Sequence, residues 1–331
     1  MVSTDDILPA PSLHGFRFRT YRGAVDLAGL CDVLLAVETA DGTNEIWGRE
    51  AMANWLANMP DFEAERDVLI AEVEGRMVAW SYRSRRVRDG IRVFDSYGRV
   101  HPDWRRRGLG RAMLRLNESV SRARALAEDD PREAALGSWS SEANRGNVVL
   151  LESEGYEVVR WFFEMERPDL DDILELGLPE GIELRPVPGE RLRDVLLATF
   201  EAFEDHWGAV ERSEADIRQT LGDPDTDPSL WRVAWAGDEV AGSVINAIYP
   251  DENEALGFRR GWLDRVSVRR PWRRQGVARA LIAASLVALR ERGMERAALG
   301  VDADNQSGAL GLYEGLGFRP IHRAMAYRKP I

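Results

Sequence analysis

The chain carries the pattern of one domain twice. A Trp-Arg-Arg-x-Gly string stands at 104–108 and again at 272–276, 168 positions later. Each copy follows an apolar run ending in valine (Val100, Val268) and opens a helical pattern. A second landmark, Leu-Leu-Glu-Ser-Glu-Gly-Tyr at 150–156, is echoed by Leu-Tyr-Glu-Gly-Leu-Gly-Phe at 312–318, at an offset of 162. Self-similarity over that distance constrains the chain to two copies of one fold. Its 331 residues suffice for two cores of roughly 150 residues each. The first half's six additional residues fall in the polar stretch 127–133.

Each half reads alike. A short strand (16–21; 182–186) precedes a helical pattern (26–39; 191–203). Paired runs at 67–73 with 77–83, and 230–236 with 240–249, alternate or stay apolar around Glu74-Gly75 and Gly237-Asp238, as antiparallel hairpins do. A third strand (92–100; 262–268) leads into the arginine-glycine string, and a long amphipathic helix (109–127; 277–292) follows, then a strand, a short helix and a closing strand. The expected domains are 1–166 and 181–331, joined by an acidic, proline-bracketed linker at 167–180.

Composition narrows the function classes. A net charge of −12 argues against a general nucleic-acid binder. No apolar run approaches the ~20 residues of a membrane span. The start of the chain has no basic region followed by an apolar stretch, so a cytoplasmic protein is expected. Cys31 is the only cysteine, and His14, His101, His206 and His322 lack ligand spacing, so no metal is expected. Of 44 basic residues only Lys329 is lysine, a bias that a GC-rich genome explains for most of them. Two clusters depart from it: residues 99–115 hold six arginines against Asp103, and residues 259–279 hold eight against Asp264.

A strand that ends in this string and opens a helix makes an anion site. Gly108 and Gly110, or Gly276 and Ala278, let the backbone turn tightly beside a ligand. The first helical N–H groups then face outward at the positive end of the helix dipole, which suits a pyrophosphate. Arg105, Arg106, Arg107, Arg273 and Arg274 add positive charge around it.

The motif, with strand before and helix after, resembles the signature of the GNAT acetyltransferase superfamily. So does the segment 305–318, in which Asn305 precedes a helix ending Leu-Tyr-Glu-Gly-Leu-Gly-Phe. The resemblance covers nearly the whole chain, once per half, and is similar to the tandem-GNAT group that includes mycothiol synthase. It implies two mixed α/β domains, each a mostly antiparallel, splayed sheet flanked by helices, with acetyl-CoA between two strands and pyrophosphate on the turn. The implied cofactor-binding positions are Val266, Ser267, Val268, Arg273, Arg274, Gln275, Gly276, Val277, Ala278 and Asn305. Their first-half counterparts are Val100, Arg105, Arg106, Arg107, Gly108, Leu109 and Gly110.

The resemblance also assigns chemistry. Val268 N–H would stabilise the oxyanion, a contribution of about 3 kcal/mol, and Tyr313 would protonate the CoA thiolate. The first half has Leu151 where the second has Tyr313, so it is expected to be degenerate, keeping a CoA-like site without efficient turnover, with Asn144 in the asparagine role. Asp264, four residues before Val268 and expected on its strand face, is either a base or an ion-pair partner of Arg265. The glutamate of mycothiol synthase would align near Trp262, where this chain lacks it. Glu201, Glu204, Asp205 and Trp207 either receive a cationic amine or form an ordinary amphipathic helix end. The expected function is acetyl transfer from acetyl-CoA to a small amine in the C-terminal domain of a monomer or homodimer. Two alternatives stand beside it: transfer to a cysteinyl sugar, and a non-catalytic acyl-CoA sensor or scaffold.

Overall fold

The computed structural model describes residues 13–43, 45–305 and 308–331. They form two compact units. The first takes the chain up to Val159 and regains Met325–Ile331; the second is Arg160–Ala324.

In the first unit, β1 (Phe16–Thr20), α1 (Leu27–Asp41), α2 (Arg49–Asn58) and the one-turn α3 (Ala64–Asp67) precede β2 (Val68–Val73), β3 (Arg76–Arg88) and β4 (Ile91–Val100). Then come α4 (Leu109–Ala127), β5 (Ala134–Ser141), α5 (Arg145–Ser153) and β6 (Glu157–Arg167). β1 to β4 pair antiparallel in sequence order, and β4 pairs β5 in parallel. β2 is apolar almost throughout because helices cover both its faces. Val68 and Ile70 pack with Leu30, Val33 and Leu34 of α1, while Leu69 and Ala71 pack with Leu109 and Met113 of α4.

The second unit repeats the plan with β7 (Glu183–Leu184), α6 (Leu192–Ala202), α7 (Glu214–Leu221), β8 (Arg232–Ala236), β9 (Glu239–Ile248) and α8 (Pro250–Leu256). β10 (Arg260–Val268), α9 (Val277–Glu291), β11 (Arg296–Asp302), α10 (Ala309–Glu314) and β12 (Arg319–Pro330) complete the chain. β7 to β10 pair antiparallel, and β10 pairs β11 in parallel. α9 buries Val277, Leu281, Ile282, Leu286 and Leu289 against the sheet, each worth about 1.5–3 kcal/mol of transfer free energy. α6 covers the other face with Val195, Leu196 and Phe200.

The division of the chain differs from the sequence expectation. Residues 162–167 of β6 pair with β11 and so complete the second unit's sheet. Met325–Ile331 counts with the first unit, where the Lys329 ammonium meets the Glu118 carboxylate of α4 at 2.9 Å. Nor is the acidic segment after Arg167 a free linker. Arg167 donates to the carbonyls of Asp169, Asp172 and Leu316, and Leu170 is buried in the α9 cluster.

Two features position the site. In each unit the parallel strands separate early: β4 and β5 pair only at residues 92–95, β10 and β11 only at 260–262. And β10 carries a β-bulge against β9 between Leu263 and Arg265, whereas the β3–β4 register runs unbroken. Among the described residues no helix is long and apolar enough to cross a membrane.

Candidate active site

Both arginine-glycine turns have the same backbone. Gly108 (φ 83°) and Gly276 (φ 90°) are left-handed immediately before their helices, and Arg106 (φ 64°) and Arg274 (φ 59°) are left-handed two residues earlier. A non-glycine residue in that region costs about 1–2 kcal/mol, and the chain accepts the cost twice at one position, as strained functional turns do. The helical ladders begin with Ala112 N–H to the Gly108 carbonyl and Ala280 N–H to the Gly276 carbonyl. The N–H groups of 109–111 and 277–279 therefore precede the ladder and point out of the helix start. Beyond the adjoining residues, no atom lies within 4 Å of where a Cβ would stand at either glycine, so the backbone is open to a ligand.

The arginines of the turn divide by role. Arg105 donates from Nε to the Val100 carbonyl (3.2 Å) and forks onto Asp41 (2.6 and 2.9 Å). Arg273 does the same, with Nε on the Val268 carbonyl (2.9 Å), Nη1 on Asp205 (2.9 Å) and Nη2 on the Ala202 carbonyl (3.0 Å). These two tie the turn to its own strand and to the first helix of the unit. Arg106, Arg107, Arg274 and Gln275 are exposed at the turn. Arg107 lies 4.6 Å over the Trp104 ring, and Gln275 donates to the Pro271 carbonyl at 2.9 Å.

Successive N–H groups of a strand point to opposite edges. Arg269 N–H is bonded to the Ala241 carbonyl beside β9, so the N–H groups of Val268 and Val266 point to the other edge. That edge is open, because pairing with β11 ends at Trp262. His101 N–H bonds the Val78 carbonyl and orients Val100 in the same way.

The bulge corrects the expected placement of Asp264. Leu263, Val266 and Val268 all pack with the α9 cluster. The additional residue between Leu263 and Arg265 breaks the two-residue period, and Asp264 does not share the valines' face. It is exposed instead, and its Oδ2 accepts a 2.5 Å hydrogen bond from the Tyr249 hydroxyl at the end of β9. The surrounding protein disfavours its charged form and raises its pKa, against the opposing pull of Tyr249 and Arg265. Burial pushes the Tyr249 phenol well above its usual value too. Tyr249 was not foreseen: it lies 15 residues from its partner, and no local pattern links them.

Tyr313 is buried on α10, in the same apolar cluster as Val268, with its ring 6.1 Å from Phe318. Burial raises its pKa to about 12, which keeps the phenol protonated at neutral pH. Leu151, its counterpart, is a buried core residue of α5. Asn144 caps α5, its side chain accepting from Asn147 N–H at 3.1 Å. Asn305 is not a cap, because α10 starts after left-handed Gly308; its carbonyl accepts from Gly308 N–H.

The acidic residues at the end of α6 and just beyond it mostly serve the turn. Glu201 pairs with Arg269 at 2.9 Å, and Asp205 pairs with Arg270 and Arg273, whose guanidiniums hold its carboxyl well below the usual range. Glu204 is exposed. Trp207 is half-buried, 6.0 Å from the Phe162 ring and under Arg160.

A strand pair that splays beside an anion-accepting helix start defines a class of acyl-transfer folds. The description "Acetyltransferase (GNAT) family" belongs to the family model that matches residues 190–318. Mycothiol acetyltransferase of Geodermatophilus obscurus is 30% identical over 305 residues, covering 89% of this chain and 92% of the relative. The enzyme of that name from Streptomyces scabiei is 31% identical over 231 residues, 69% of each chain. Among solved structures, a GCN5-related N-acetyltransferase from Sphaerobacter thermophilus superposes with a TM-score of 0.71 at 26% identity, covering 98% of this chain and 96% of that one. A tandem GNAT protein from the clavulanic acid biosynthesis pathway shares the fold, with a TM-score of 0.67 at 17% identity over 95% and 98% of the two chains. The chain belongs to the GNAT acetyltransferase family, whose members use acetyl-CoA as donor.

Proposed function

We propose that the protein transfers an acetyl group from acetyl-CoA to a small amine and does so in its second unit. One observation carries this reading. The buried, protonated Tyr313 and the bulged, exposed Asp264 both belong to the unit built around the second turn, while Leu151 and the buried Ser96 occupy those positions in the first.

The residues divide the work. Backbone N–H groups of 277–279, with Arg274, receive the pyrophosphate, and Val266 N–H faces the chain of the donor along the open edge. Val268 N–H donates to the oxyanion as the amine attacks the acetyl carbon. An alkylammonium with a pKa of roughly 10.4 must first lose a proton, and Asp264 takes it. Breaking the C–S bond leaves a thiolate, which takes the Tyr313 proton; the nitrogen gives up its second proton to water as the amide forms, and both side chains then re-equilibrate with solvent. In the first unit the matching turn binds the same anion without turnover.

The test is release of free thiol from acetyl-CoA across a panel of small amines. Amine-dependent release supports the reading; thiol release by none of them contradicts it. The similarity to the mycothiol acetyltransferases favours one specific acceptor class, a cysteinyl sugar, which belongs in the panel. Against it, the strand glutamate of that group would fall near Trp262, whose indole donates to the buried Glu252.

A further inference from the structure

Resting on the reading of Asp264 as base, we propose that Tyr249 is the positioning residue for that base: its hydroxyl occupies Oδ2 of the bulged carboxylate and leaves Oδ1 as the proton acceptor for the incoming amine.

A carboxylate on an exposed bulge has two equivalent oxygens and a freely rotating plane. General-base catalysis needs one oxygen aimed at the N–H it will take. The phenol, half-buried at the end of β9, donates to Oδ2 at 2.5 Å and fixes that plane. Three groups face the carboxylate. Tyr249 reaches it from the end of β9, Arg265 from its own strand, and Asp223 from the segment after α7. Tyr249 and Arg265 favour the carboxylate; Asp223 and desolvation oppose it. Of the four, the tyrosine bond is the one that also sets direction. The first unit has no need of such a device, because Ser96 there accepts from Asn117 Nδ2 at 2.9 Å and stays in the core.

The pH dependence of kcat/KM separates this role from simple packing. With the full-length enzyme and an amine found active in the thiol assay, activity falls as pH drops through the pKa of Asp264. Tyr249→Phe removes a hydrogen bond that stabilises the carboxylate, so the acidic limb moves up by about one pH unit. Its kcat falls about tenfold, and the melting temperature reports whether the fold is intact. Site-specific 3-fluorotyrosine at 249 keeps the shape and strengthens the donor, so it moves the limb the opposite way. Opposite displacements support the proposal. An unmoved limb in both variants overturns it, provided Asp264→Asn has lost about a hundredfold or more. If Asp264→Asn keeps full activity and its acidic limb, the base reading itself fails, and the role of Tyr249 fails with it.

Discussion

The two units share their turn and differ in what stands around it. Each has left-handed Arg-x-Gly backbone before its helix, and each spends the first arginine of the string on its own strand carbonyl and a carboxylate of the unit's first helical region, Asp41 or Asp205. The turn is thus part of the architecture and persists in both copies. Chemistry demands more. The regular β4 register keeps Ser96 inward, bonded to Asn117, whereas the β10 bulge swings Asp264 out to Tyr249. Immediately before the valine the contrast reverses in bulk. Arg99 sits between Glu38 and Glu45, while the hydroxyl of its counterpart Ser267 bonds Ser243, hydroxyl to hydroxyl at 2.8 Å. The comparison teaches that the duplicated fold keeps the backbone of the turn for structural reasons, and that in the proposed chemistry the difference between the units comes down to a bulge and two side chains.

Replacing Tyr313 should expose the largest difference. Tyr313→Phe is expected to lower kcat by about 10²–10⁴-fold with unchanged CoA affinity, while Leu151→Tyr restores nothing to the first unit. Stopped thiol release with equilibrium CoA titration checks both. Cutting the tether should matter less. Asp205→Ala frees Arg273 and raises the donor KM about two- to fivefold, the scale of an exposed ion pair, whereas Asp41→Ala leaves steady-state kinetics alone. The smallest catalytic effect is expected from Arg19→Ala in the first unit. Arg19 bridges Asp26 and Glu72, both held below the usual carboxylate range. Because their folded pKa values are depressed, this stability is present above the ordinary carboxylate pKa and is lost as pH falls through the folded values. The variant should therefore melt several degrees lower at neutral pH, approach the parent in strong acid, and turn over normally.

Much of this was legible in the sequence. The repeat, the antiparallel order and α4 at 109–127 follow from periodicity, because residues covered on one or both faces advertise their spacing. α8 was not legible: Pro-Asp-Glu-Asn-Glu-Ala-Leu reads as a polar loop, and its buried Glu252 is satisfied by Arg260 and Trp262 from β10. Nor could the string at 104–108 say which arginines face a ligand. Arg105 and Arg273 look identical to their neighbours until the partners arrive from Asp41 and Asp205. The boundary was misplaced for a related reason. β6 reads as a closing strand, but a strand's own pattern does not specify its partner, and its pairing with β11 appears only in three dimensions.

The division of labour between the units is tested most directly by one assay on two matched variants. Gly276→Asp and Gly108→Asp each place a strained, anionic side chain at an equivalent left-handed position facing the helix start. Measured as free thiol released from acetyl-CoA with an active amine, Gly276→Asp is expected to fall to background and Gly108→Asp to keep most of the parent rate. Greater loss in Gly108→Asp would contradict the account and move the chemistry to the first unit.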